Sequence, residues 1–273
     1  MRVRRSLLFA PGNRPEIFAK ALATGADVVC VDLEDAVPAQ DKASARENAV
    51  GFLGAAAGAE RVVRLNSLRS AEGMRDLLAV VAARPAGGVL MLPKVADAWE
   101  VRLADEVLTE AGLDLGLAVL IESTEGMVNA RAIMAGPRVV FALFGGVDYA
   151  AELGVAVAHE PLLHARYEMV LAAKRAGVDV MDVPSLAFRD NGVVEAEARM
   201  AKGLGFTGKA CLHPANVAVV NGVFTPTEDE IARAEKIVAA YEASPNGLAE
   251  MDGKLIEKPV VRAMQRILAA RPR

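Results

Sequence analysis

Short apolar runs of strand length recur along the chain between longer amphipathic stretches. They are Leu7 to Ala10, Val28 to Leu33, Val62 to Leu65, Val89 to Leu92, Leu117 to Ile121, Val139 to Phe144, Val178 to Val183 and Lys209 to Leu212. Their hydrophobicity is continuous rather than alternating, the pattern of strands covered on both faces, and enough residues for a helix separate each from the next. Strand–helix alternation implies a parallel sheet, and eight such units predict a closed (β/α)₈ TIM barrel. Periodicity alone fits an open doubly wound sheet as well. The polar residues favour the barrel: Arg64, Asn66, Lys94, Glu122 and Asp148, with Asp32, Glu34 and Asp35, fall at or near the C-terminal ends of the runs. In a barrel, that rim carries the active site.

After the eighth unit, Thr227 to Ala243 has helical spacing, with Thr227 and Glu230 placed as a capping box. Ser244, Pro245, Asn246 and Gly247 mark a turn, and the chain ends in a second helical segment, Val260 to Ala270. The expected organisation is a barrel with its C-terminal helix over residues 1–243 and a C-terminal helical arm over 244–273.

With 273 residues, 53% hydrophobic and 24% charged, the chain can bury a core that needs neither disulfides nor structural metal. Its net charge of -4 lacks the basic excess of a phosphate-backbone binder, so nucleic acid is not an expected partner. Charged residues, Pro or Gly break every apolar run short of a membrane span, and Pro11, Gly12 and Asn13 stop the N-terminal run short of a signal-peptide core. A cytoplasmic location is expected. Cys30 and Cys211 each lie in a strand-like run, as small buried residues in a reducing compartment do.

Glu122 closes the run LAVLI, and Asp148 follows VVFALFGGV, so strands five and six would deliver two carboxylates side by side to the rim. Like charges so placed need a cation or a proton between them. Two carboxylates with room for water suit Mg²⁺, and Mn²⁺ nearly as well. Arg64 in VRLN offers a planar fork for a substrate carboxylate or for the neighbouring acids; Lys94 offers a similar charge or a partner for Glu122. Asp32, Glu34 and Asp35 either orient metal-bound water or cap the next helix, with Arg46 available as their counter-ion. The run Pro11-Gly12-Asn13-Arg14-Pro15 joins strand one to a helix whose start, with Arg14 and Lys20, either receives phosphate oxygens or is an ordinary turn. No G-x-S-x-G elbow is present, and no histidine has a paired ligand spacing.

The segments RRSLLFAPGNRPEIFAKA, VVCVDLEDAV, VRLN, LMLPKV, LIES, FGGVDYAAELG, GFTGKACLHPANVAVVN and DGKLIEKPVV span nearly the whole chain. Together they resemble the citrate lyase β-subunit-like branch of the HpcH/HpaI aldolase superfamily, which includes malyl-CoA and citramalyl-CoA lyases. The resemblance implies a barrel that binds Mg²⁺ through Glu122 and Asp148 and a substrate carboxylate through Arg64. It also implies a thioester substrate on coenzyme A or an acyl carrier, an α-keto acid product, and phosphate contacts from Arg14 and Lys20. Members are commonly trimers or hexamers whose arm covers a neighbour's active site, which makes Glu257 a general acid/base. The lyases usually carry an aspartate where this chain has Glu257, and the metal-dependent hydroxy-diacid aldolases carry a histidine base where it has Asp35. The reaction so implied is Mg²⁺-dependent carbon–carbon cleavage of a 3-hydroxyacyl thioester. Two alternatives stay open: malate synthase-like condensation with thioester hydrolysis, and a non-catalytic acyl-CoA- and metal-binding subunit.

Overall fold

A computed structural model describes residues 2–54, 58–244 and 248–271. Eight parallel strands close into a barrel in chain order: β1 (Ser6–Pro11), β2 (Val28–Asp32), β3 (Glu60–Arg64), β4 (Val89–Leu92), β5 (Gly116–Ile121), β6 (Val139–Phe144), β7 (Asp179–Asp182) and β8 (Gly208–Cys211). Closure is direct, with Leu7 of β1 opposite Val28 of β2 on one side and Ala210 of β8 on the other. The TIM-barrel expectation therefore holds, and each strand lies within about two residues of an apolar run.

Alternation explains why those runs are continuous. One set of side chains, including Leu7, Cys30, Val62, Met91, Leu120, Phe141, Met181 and Ala210, packs together as a buried core cluster. The intervening residues, such as Leu8, Val29 and Val31, are also buried. Beneath the N-terminal ends of the strands, Arg4 bridges Glu60 at 2.6 Å and Asp179 at 2.9 Å and lies over the Phe141 ring. Both cysteines are free and buried, and burial raises their thiols, that of Cys211 to about 12, so they are inert packing groups.

The connections are α1 (Phe18–Leu22), α2 (Lys42–Phe52), α3 (Ala71–Ala83), α4 (Ala98–Glu110), α5 (Thr124–Met134), α6 (Gly146–Leu153), α7 (His159–Ala176), α8 (Asn191–Leu204) and α9 (Pro214–Phe224). Ser70, Asp97, Ser123 and Asp190 cap α3, α4, α5 and α8 by accepting from amides of the first turn. No helix among the described residues is long and apolar enough to cross a membrane.

Residues 2–221 form one compact unit and the chain from Gly222 onward another. Within the second, α10 (Glu228–Glu242) has the expected Thr227–Glu230 capping box, and α11 (Lys258–Ala269) follows a hairpin of β9 (Ala249–Met251) and β10 (Lys254–Ile256). Ile237, Ile256 and Val261 form its buried cluster. The turn expected at 244–247 falls, apart from Ser244, outside the described residues; the Ser244 hydroxyl donates to the carbonyl of Leu248.

Candidate active site

The C-terminal mouth of the barrel holds a cavity of about 390 Å³ whose polar lining includes Asp32, Asp35, Arg64, Glu122 and Asp148. Five of the sequence-derived candidates thus converge. Phe9, Leu120, Leu143, Phe144, Val147 and Leu212 make most of the apolar wall.

Glu122 follows β5 directly and is 6% exposed. Its Oε1 accepts from the backbone amide of Lys94 at 2.8 Å. Lys94 reaches that position with φ of 52°, in the left-handed region that costs a non-glycine residue about 1 kcal/mol. The other side of Glu122 faces Gly145, where an added Cβ would lie 2.3 Å from Glu122 Cβ and 2.8 Å from its Oε2. Burial, then the charges of Glu34 and Asp148, push the Glu122 carboxyl up to about 8 against the opposing Lys94 amide and Arg64.

Asp148 arrives differently from the sequence expectation. It sits in the first turn of α6 rather than at a strand end, because the chain turns into the helix at Gly145–Gly146 immediately after β6. It still faces the shared cavity.

Arg64 ends β3 and lies over the Phe9 ring at 5.1 Å. Its Nε and Nη2 donate to the two oxygens of Asp32, each at 2.6 Å, and its Nη1 lies 3.2 Å from Glu34 Oε2 and 3.7 Å from Asp35. Burial opposes charge on both partners of the Arg64–Asp32 pair, but the paired hydrogen bonds and charges outweigh it: Asp32 is held below the usual carboxylate range and Arg64 above its ordinary value. Asp32 also accepts from the amides of Glu34 and Ala36, which folds the loop after β2 around its carboxylate. Of the two roles open to Arg64, the pairing with neighbouring acids is formed, by Asp32 at Nε and Nη2 and by Glu34 and Asp35 at Nη1.

Glu34 is 7% exposed, and its Oε1 pairs with Lys94 Nζ at 2.7 Å. Its Oε2 has no hydrogen-bond partner, the 3.2 Å approach of Arg64 lacking hydrogen-bond geometry. Burial and the Asp35 charge raise Glu34 above the ordinary range despite Arg64 and Lys94. Lys94 therefore pairs through its ammonium with Glu34 and Asp35, and meets Glu122 through its amide. Arg46 is not the counter-ion of this loop: it pairs with Asp76 and Glu72 of α3, which packs beside α2.

A buried Glu122 carboxylate repelled by both Glu34 and Asp148 at one mouth suits a divalent cation. No group of three or more His, Cys, Asp or Glu that could hold a metal ion occurs among the described residues. Mg²⁺ does not require one, since it commonly keeps several waters and takes one or two carboxylates from the protein. Glu122 and Asp148 fit that share.

Arg14 caps a 3-10 turn with Pro15 in its first position, as the sequence suggests, and pairs with exposed Glu16 at 3.0 Å; Lys20 lies exposed in α1. Asn13 does not cap, its amide donating instead to Asp41. Glu257, in the C-terminal unit, is exposed at the start of α11 and makes no side-chain capping bond. Sequence reasoning missed Lys42, although a cation at a helix N-terminus, where the dipole disfavours it, was a visible signal. It also missed Phe9 beneath Arg64.

Residues 5–214 match the family model described as HpcH/HpaI aldolase/citrate lyase. The chain is 36% identical to the citrate lyase subunit beta-like protein of Deinococcus radiodurans, over 97% of this chain and 96% of that protein. It is 34% identical to a (3S)-malyl-CoA thioesterase of Cereibacter sphaeroides, over 97% and 94%. Among solved structures, protein CitE of Mycobacterium tuberculosis in complex with magnesium, acetoacetate and coenzyme A matches with a TM-score of 0.83 and 30% identity, over 99% of each chain. The barrel, its acidic mouth and these matches agree, and the chain belongs to the HpcH/HpaI aldolase/citrate lyase family.

Proposed function

We propose that this lyase cleaves the carbon–carbon bond of a 3-hydroxyacyl-CoA thioester bearing a carboxylate, of the malyl, citramalyl or citryl type, to an acyl-CoA and an α-keto acid. The observation that carries the reading is the buried Glu122 carboxylate, raised to about 8 beside Glu34 and Asp148 and facing the same cavity as Arg64.

Glu122 and Asp148 would hold Mg²⁺, or Mn²⁺ in its place. Bound there, the ion supplies Lewis-acid stabilisation of the charge that develops on the substrate oxygen. Arg64 supplies positive charge to the substrate carboxylate from a guanidinium whose plane Asp32 fixes by paired bonds to Nε and Nη2. Asp32, Glu34 and Asp35 order polar groups and water around the site. In the cleavage the hydroxyl passes its proton to solvent water, its oxygen forms the carbonyl of the α-keto acid as the bond between the carbinol carbon and the thioester α-carbon breaks, and the electron pair of that bond forms the enolate of the α-carbon. Glu257 from a neighbouring subunit of a trimer or hexamer protonates that carbon. Arg14 and Lys20 receive phosphates of coenzyme A.

The similarity to a malyl-CoA thioesterase supports a second reading, in which hydrolysis of the thioester follows. The test is turnover of malyl-, citramalyl- and citryl-CoA with Mg²⁺ by the purified protein. The expected result is cleavage of at least one substrate, lost in Glu122→Ala and Asp148→Ala. Cleavage of none contradicts the lyase reading for these substrates, and release of free CoA with malate supports the second.

A further inference from the structure

Lys42 opens α2, where the helix dipole disfavours a cation. Its ammonium has three protons and donates to three neutral oxygens: the carbonyls of Leu33 and Glu34, each at 2.6 Å, and Asn66 Oδ1 at 2.8 Å. Asn66 is itself fixed by donating through its amide and side chain to Asp76 Oδ2 at 2.8 and 2.6 Å. Arg46 Nε holds the other Asp76 oxygen at 2.6 Å. The chain Arg46–Asp76–Asn66–Lys42 thus runs from the packed α2–α3 face to the carbonyls of the loop that carries Glu34 and Asp35.

That loop is where the acids meeting Arg64 and Lys94 are set. Glu34 and Asp35 contact both cations, and Lys94 in turn presents its amide to Glu122. The geometry points to Lys42 as a positioning residue: its three-pronged clamp fixes the loop after β2, and through the acids of that loop the orientation of Arg64 toward the substrate. Lys42 itself touches no reacting group. The link to turnover rests on the reaction proposed above; the clamp on the loop does not.

The test compares Lys42→Met, which keeps the stem and removes all three donors, with Lys42→Arg, which keeps the charge but spreads its donors in a plane. Amide hydrogen exchange, Mg²⁺ binding and turnover are measured on each full-length variant. The expected result is exchange at the amides of Glu34, Ala36 and Val37 faster by about tenfold or more in both variants, with the rest of the barrel unchanged. Turnover falls by at least about tenfold while Mg²⁺ affinity stays within about threefold, because neither Glu122 nor Asp148 sits on this loop.

Unchanged loop exchange overturns the proposal, as does full rescue by Lys42→Arg, which would make charge alone sufficient. Faster exchange throughout the barrel reduces Lys42 to a general stabiliser and overturns it too. Loop-confined exchange with unchanged turnover in an active wild type overturns the link to catalysis. Should the wild type cleave none of the thioesters, the proposed reaction fails separately, and loop exchange still decides whether the clamp exists.

Discussion

The backbone amide of Lys94 donates to Glu122 Oε1 at 2.8 Å, and it does so from a left-handed residue with φ of 52°. The same residue sends its ammonium to Glu34 at 2.7 Å. One backbone turn therefore couples Glu122 and Glu34, two of the buried acids of the mouth. Glycine adopts this conformation freely, so Lys94→Gly relieves strain that Lys94→Met keeps, although both lose the ion pair. Denaturant unfolding should find the glycine variant more stable than the methionine variant by about 1 kcal/mol. The reverse order would show that the left-handed conformation is not what orients the amide.

Glu122 makes metal-free stability depend on pH. Its carboxyl titrates at about 8 in the fold against an ordinary 4.5, so between these values the folded state binds a proton that the unfolded chain has released. The stabilisation is fully present below about 4.5 and is lost as pH rises through about 8. Thermal unfolding of the metal-free protein should show this loss, on the order of 5 °C in Tm between pH 5 and 9, relative to Glu122→Gln. Saturating Mg²⁺ should flatten it, and Mg²⁺ affinity should rise with pH over the same window as the ion displaces the proton.

Gly145 is needed for space rather than for φ. A Cβ there would overlap Glu122 Cβ at 2.3 Å. Gly145→Ala should displace the carboxylate and weaken Mg²⁺ binding by about tenfold or more, measured by calorimetry, and should lower Tm by a few degrees.

The Arg64–Asp32 pair is buried, with Asp32 1% exposed. Asp32→Ala strands a buried guanidinium and should cost about 3–5 kcal/mol in equilibrium unfolding. Arg64→Lys should raise KM for the thioester substrate, because an ammonium cannot span both Asp32 oxygens as the guanidinium does.

The barrel was legible because strands covered on both faces leave a continuous apolar signature, and all eight runs became strands. Glu122 was legible for the same reason, as the first polar residue after such a run. Asp148 was misplaced because Gly145–Gly146 opens a helix at once, which hydrophobicity does not report. The β9–β10 hairpin went unread although its Asp252-Gly253 turn, with φ of 54° and 69°, is a common hairpin signal. What Arg46 and Lys42 hold was beyond sequence reasoning in another way. Their partners lie on different elements, chosen by how α2 meets α3 and the strand ends rather than by local pattern.

Product analysis with malyl- and citramalyl-CoA tests the central claim most directly. With Mg²⁺ present, the account predicts stoichiometric α-keto acid and acyl-CoA with no free CoA thiol, and no product on chelation or in Glu122→Gln. Unchanged keto-acid release from Glu122→Gln, or free CoA thiol as the first product of the wild type, would contradict it.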